Sequence, residues 1–155
     1  MRLGRPLAAA SALAAAVSNA GGLGILTALT QPTPEDLARE IARTREMTDK
    51  PFGVNVAQAF VRDPGIIQFV IDQGIRFVTT SAGDPMKYTG MLKAAGLTVF
   101  HVVPSLAGAL RAVEAGVDGL IVEGGEGGAV DLAGFLRAVG ETGDVLDGGR
   151  GVEGA

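Results

Sequence analysis

The sequence predicts an α/β fold of the parallel (β/α)8 barrel type, incomplete, with about five β/α units. Three observations carry this. Apolar runs centred near residues 25, 54, 78, 100 and 121 recur about 21 to 29 residues apart. The runs are close to continuous rather than alternating, which marks strands buried on both faces, as in a parallel sheet. Between them lie stretches with helix start and stop signals, of the length a crossover helix takes. Glycine directly before a short strand, in "AGLTVF" and "AGVDGLIV", favours the barrel. Periodicity alone also allows an open, doubly wound sheet.

Taken in order, "MRLGRPLAAASALAAAV" reads as a helix closed by Gly21 and Gly22. Arg2 and Arg5 before an alanine run also suit a secretory leader, but alanine is a strong helix former and only weakly apolar. "GLGIL" (Gly22–Leu26) reads as the first strand. Thr33 as N-cap, Pro34 at the first helical position and Asp36 behind them start a helix running to about Met47. Pro51 resets the chain for the strand "FGVNVA". Asp63 and Pro64 start the next helix, Gly74 ends it, and "RFVTTS" (Arg76–Ser81) follows, rich in β-branched residues. Asp84 and Pro85 open a helix closed by Gly96 before "LTVFHVV". Ser105 opens another, closed by Gly116, before "DGLIVEG". After Gly128 "VDLAGFLRAVG" can form a helix, and no convincing strand follows. An eight-stranded barrel typically takes ~250 residues, against 155 here.

Composition narrows the chemistry. With no cysteine and one histidine, thiolate metal sites, a cysteine nucleophile and a histidine-based zinc site are excluded or improbable. No metal site is expected. Thirteen basic and seventeen acidic residues, interspersed, offer no cationic stripe for a nucleic acid. No apolar stretch approaches the ~20 residues of a membrane helix. The expected partner is a small molecule, with a homo-oligomer allowed and a cytoplasmic setting.

Two glycine-rich stretches invite a cofactor reading. Gly149-Arg150-Gly151-Val152-Glu153-Gly154 fits the dinucleotide pattern, but no strand leads into it and no helix follows, so it is read as tail. "VEGGEGGAV" (Val122–Val130) follows a strand, at the edge where parallel α/β folds hold ligands, and its bare backbone lets a flat ligand approach. A solvated turn is the alternative. Asn55 sits inside the apolar run "FGVNVA", where an amide needs a partner, either a ligand or a structural hydrogen bond. His101 in "VFHVV" is the one side chain that titrates near neutrality unaided, and is a weak candidate for a catalytic base beside the core-histidine reading.

The stretches "LAAAVSNAGGLGIL", "TDKPFGVNV", "FVTTSAGDPMKY" and "LKAAGLTVFHVVPSLAGALRAVEAGVDGLIVEGGEGG" resemble, in order, segments of the nitronate monooxygenase family, formerly the 2-nitropropane dioxygenases. That family is related to the FMN-dependent, FabK-type enoyl-acyl-carrier-protein reductases. The resemblance covers about Leu13 to Gly128 and implies a TIM barrel binding FMN at the C-terminal ends of its strands. It implies that Asn55 contacts the flavin, that Glu123 stands where many members have a flavin-contacting glutamine, and that Gly128 belongs to the loop against the cofactor. Gly22 and Gly24 match glycines passing near the flavin.

The chain also departs from the family. The first strand with its proline-methionine turn is absent, and Val130 stands where many members carry a histidine proposed as base. Nothing after Gly128 matches the segment that binds the FMN phosphate, so the chain is read as a truncated or frame-shifted member. It divides into residues 1–130, a partial FMN-binding barrel domain, and 131–155, a divergent and poorly ordered segment. The resemblance implies FMN- and dioxygen-dependent oxidation of alkyl nitronates. Alternatives are a FabK-like enoyl reductase using NAD(P)H, favoured by "VTTSAGDPMKY" and "HVVPS", and an inactive fragment.

Overall fold

The computed structural model describes residues 8–123. Helix α1 (Ala8–Asn19) leads into four β/α repeats and a fifth strand: β1 (Gly24–Thr27), α2 (Pro34–Met47), β2 (Phe52–Ala57), α3 (Gly65–Asp72), β3 (Phe77–Ser81), α4 (Thr89–Ala94), β4 (Thr98–Val103), α5 (Leu106–Glu114) and β5 (Gly119–Val122). The local signals act as chemistry requires. Thr33 accepts from the Asp36 N–H at the start of α2, and Ser105 accepts from the Gly108 N–H at the start of α5. Gly74 ends α3 at φ +68°, a left-handed turn that costs glycine little.

The strands form one parallel sheet in the order β1-β2-β3-β4-β5. A doubly wound sheet reverses its strand order at a switch point. Here every crossover steps the same way, so right-handed connections put the helices on one side of the sheet. The alternative of an open, doubly wound sheet is thereby removed, and the five strands form an arc of barrel type.

The register carries the two faces. Leu26 pairs with Val54, Val54 with Val78, and Val78 with Val99, forming a row on the helix side. That row is buried against Leu37 and Ile41 of α2, Ile67 and Val70 of α3, and Leu92 of α4. Each fully buried side chain of this kind contributes roughly 1.5–3 kcal/mol. On the opposite face Ile25 and Phe77 lie in one row and Thr27, Asn55, Thr79 and Phe100 in the next, with Ser81 beyond, so β1 to β3 turn polar towards their C-terminal ends while β4 and β5 keep Phe100 and Ile121 there. The Phe77 and Phe100 rings lie 5.0 Å apart. They need the glycines beside them: a Cβ at Gly53 would lie 2.8 Å from Phe77, and one at Gly119 would lie 2.6 Å from Phe100.

One expected helix is broken. Asp84 and Pro85 open only a 3-10 turn, Pro85–Lys87, because Tyr88 takes φ −126° as it turns its ring into the core, and α4 starts after it. Short 3-10 turns also follow β1 and β2, at Ala28–Thr30 and Gln58–Phe60.

Candidate functional site

The polar end of the bare face is also where a cavity of about 710 Å³ opens, over the C-terminal ends of β2, β3 and β4 and the start of α5. Asn55, Ser81, Asp84, His101, Arg111 and Glu123 are among its lining residues.

Asn55 is the anchor of its floor. Its Oδ1 accepts from Thr79 Oγ1 at 2.9 Å and from Ser81 Oγ at 3.4 Å, both across the β2–β3 pair. The two hydroxyls hold the plane of the amide against β3. The Nδ2 donors then have no partner among the described residues and belong to the face that lines the cavity.

The turn after β3, Ser81 to Asp84, forms one wall. Ala82 has φ +52°, the left-handed region that costs a non-glycine residue ~1–2 kcal/mol. Gly83 presses onto the buried Gln58, where an added Cβ would lie 2.5 Å from the amide oxygen. Asp84 caps the following 3-10 turn and takes a bidentate ion pair from Arg111, at 2.8 and 2.6 Å. The guanidinium, with the Met86 N–H, holds the exposed Asp84 carboxyl at about 2, below the usual carboxylate range. The carboxylate is therefore ionised at any ordinary pH and unsuited to general-acid work.

His101 lines the same cavity but belongs to the other side of β4. It pairs with Thr80 and Leu120, in the helix-facing row, and is 3% exposed. Its Nδ1 lies 2.7 Å from Thr80 Oγ1. Burial pushes the imidazole below its ordinary pKa, with Gly83 and Asp84 opposing. A ring so enclosed and so partnered is poorly placed for the base role expected of it.

The other expected residues separate into three groups. Glu123 is half-buried at the end of β5, lines the cavity, and donates its N–H to the Val103 carbonyl. Gly22 and Gly24 are at the wrong edge: they lie at the N-terminal end of β1, where Gly24 pairs with Phe52, and neither lines the cavity. Their need for glycine is steric. A Cβ at Gly24 would lie 2.0 Å from the Ala14 carbonyl oxygen of α1, and one at Gly22 would lie 2.9 Å from Val17. The structure thus gives these two glycines a packing reason of their own. Gly128, Val130 and the 131–155 boundary lie outside the described residues.

Sequence reasoning missed the Asp84–Arg111 pair, the hydroxyls of Thr79 and Ser81, and Gln58. Asp84 carried a signal, as an aspartate before proline, but that signal pointed only to a helix start. No group of three potential metal ligands occurs among the described residues, and no helix there is long and apolar enough to cross a membrane.

Comparison with known proteins gives a consistent picture. Residues 4–65 match the family model described as nitronate monooxygenase. The chain is similar to FabK from Thermotoga maritima, with 40% identity and a TM-score of 0.69 over 79% of this chain and 39% of that one. It is 37% identical over 116 residues to the (3aS,4S,5R,7aS)-5-hydroxy-7a-methyl-1-oxo-octahydro-1H-indene-4-carboxyl-CoA dehydrogenase of Rhodococcus jostii (strain RHA1), covering 75% of this chain and 33% of that protein. It is also 31% identical to the nitronate monooxygenase of Paraburkholderia phytofirmans (strain DSM 17436 / LMG 22146 / PsJN), over 79% of this chain and 44% of that protein. The chain thus spans less than half the length of each of these three.

Proposed function

We propose that the chain is a member of the nitronate monooxygenase family, whose model its residues 4–65 match, and that it supplies the cofactor-facing wall of an FMN-dependent oxidoreductase acting on a small molecule. The observation that carries this is the amide of Asn55, held by Thr79 and Ser81 and lining the cavity at the C-terminal edge of the sheet. The donor set fits an isoalloxazine edge, which presents carbonyl oxygens and ring nitrogens as acceptors. Asn55 and the main chain of Ser81 to Gly83 would hold that edge, with Glu123 at the far side. Bound there, FMN would supply the redox chemistry between the substrate and a second acceptor.

The protein's own contribution is orientation. Thr79 and Ser81 hold the Asn55 side chain by hydrogen bonds across β2 and β3, so its amide is positioned before any ligand arrives. Arg111 is neutralised by Asp84, which leaves no strong net charge at that rim. Oxidation of an alkyl nitronate with dioxygen suits this arrangement, because the substrate is already an anion and needs no protein base. Neither His101 nor a residue at position 130 is then required to remove a proton. A neutral nitroalkane would need such a base.

A second reading is favoured by the higher identities to FabK and to the CoA-ester dehydrogenase than to the nitronate monooxygenase. In it the substrate is an acyl thioester, and NAD(P)H joins FMN where the reaction is a reduction.

The test is an FMN titration followed by anaerobic mixing. The protein should quench and shift the flavin spectrum, and Asn55→Ala should weaken FMN binding about tenfold or more, the loss expected when a ligand hydrogen bond goes and two hydroxyls lose their acceptor. A nitronate should then bleach the bound flavin on the first reading. On the second, only NAD(P)H or a saturated acyl thioester should. Failure of the protein to perturb FMN at all would sink both.

A further inference from the structure

A second cavity, of about 630 Å³, opens at the same edge of the sheet, beyond the ends of β1 and β2. Leu29 and Pro32 line it from the segment between β1 and α2, and Ala59, Phe60 and Ile66 line it from the segment that leads from β2 into α3. The two cavities are neighbours. Thr27, which ends β1, pairs with Asn55 of the first cavity, and Phe60 lines both. The end of β2 and the turn after it thus form a ridge, with Asn55 and Ala57 on the first side and Ala59 on the second.

The backbone of this ridge is held while its ring is bare. The Val61 N–H closes the 3-10 turn on the Gln58 carbonyl at 3.2 Å, and Gln58 is buried beneath Gly83. Phe60, two residues on, is 68% exposed. An aromatic ring left in water at the rim of two cavities forgoes burial that a ligand can restore.

The polar groups of this second groove are largely spent. Thr33 accepts from the Asp36 N–H and donates to the Asp36 carboxylate, and Pro34, at the first position of α2, has no N–H to offer. Asp63 accepts from the Gly65 N–H at the start of α3, and Gln31 is buried. Arg62 and Asp63, the two charged residues of the lining, cancel in formal charge. Nothing here selects an anion as an open helix N-terminus does, and the surface left for contact is mainly apolar.

We propose that this groove takes the aliphatic tail of a substrate whose reacting head lies in the cavity beside Asn55, and that Phe60, across whose ring the tail passes, is a specificity-determining residue. The groove's role rests on the function proposed above and narrows it: on either reading, nitronate or acyl thioester, the substrate carries an extended apolar chain. The head group is chosen by the first cavity and the chain length by the second.

The test is a chain-length comparison on the FMN-loaded full chain, with the nitronates of nitroethane and 1-nitrohexane in one arm and the acetyl and hexanoyl thioesters of N-acetylcysteamine in the other. Each buried methylene tightens binding about fourfold. In the arm whose head group the first cavity accepts, the longer compound should therefore bind about tenfold tighter or more than the shorter one. Amide resonances of Leu29, Ala59 and Ile66 should move with the longer compound only, and those of Asn55 and Ser81 with both. Ala59→Glu puts a charge into the groove and Phe60→Ala removes the ring, and each should lower the long-to-short affinity ratio about fivefold. Both positions are exposed, so both variants keep the fold. Groove amides that stay still with the longer compound would overturn the proposal, as would an unchanged ratio in either variant. If the protein fails to bind FMN, the flavin reading falls, and the groove is judged on the unloaded chain. There Leu29, Ala59 and Ile66 should still answer to the longer compound alone, and their silence would remove the groove as well.

Discussion

His101 illustrates how much one side chain's direction decides. Its ring is buried in a neutral network, and burial lowers its pKa from the ordinary 6.5. The linkage sign follows from which state takes the proton first. The unfolded chain binds it near its ordinary pKa, while the folded protein resists until lower pH. Stability that depends on the neutral ring is therefore complete above about pH 6.5 and is lost as pH falls from there towards the folded pKa. Thermal melts between pH 7 and 5 should show Tm falling in the parent protein, with a flatter profile in His101→Gln. Identical profiles would show that His101 is not the group responsible. Asp84, held at about 2 against an ordinary 3.8, acts in a separate window: its contribution is present above 3.8 and fades only below. The sequence could not assign His101 to a face. "VFHVV" is apolar on both sides, so its alternation carries no parity signal. Asn55 was readable for the opposite reason, since an amide inside an apolar run demands a partner.

At the scale of elements, the stretches with local chemistry were legible. Thr33-Pro34 fixed the start of α2, and its predicted end at Met47 is the observed one. "FGVNVA" is β2 residue for residue. Contacts distant in sequence were not legible. Arg111 and Asp84 meet across 27 residues, and nothing in either segment announces the other. Gly24 shows the same limit, because its glycine reads equally as room for a ligand or as room for a helix. The structure gives the second meaning through the Ala14 carbonyl of α1. Gly24→Ala should therefore destabilise the fold by about 2 kcal/mol or more, since overpacking against backbone cannot relax by a side-chain rotation. Gly90→Ala, in α4 with open space at its Cβ, should instead be neutral or stabilising by up to ~1 kcal/mol. Urea midpoints at constant slope measure both. Equal tolerance at the two positions would show that α1 does not press on β1 as described.

For the whole molecule, the arc explains where apolar surface is left bare. Leu13 and Val17 on α1 are 67% and 39% exposed, Leu110 and Val113 on α5 are 45% and 54%, and Ile25 and Ile121 on the bare sheet face are 37% and 40%. These are the two flanks and the inner face of the arc, the places that neighbouring units cover in an eight-unit barrel. Strands β1 and β5 each have one unpaired edge in the described sheet. Function in this architecture depends on polarity along the strand direction, with packing at one end and chemistry at the other. The proposed ligand site is at the C-terminal edge, while Gly22 and Gly24 pack against α1 at the opposite edge. An amide-resolved NMR titration with FMN tests that division most directly. Perturbations concentrated on Asn55, Ser81 to Gly83 and Glu123, with Gly22 and Gly24 unmoved, are the predicted result. Perturbations centred on Gly22 and Gly24, or none at saturating FMN, would contradict it.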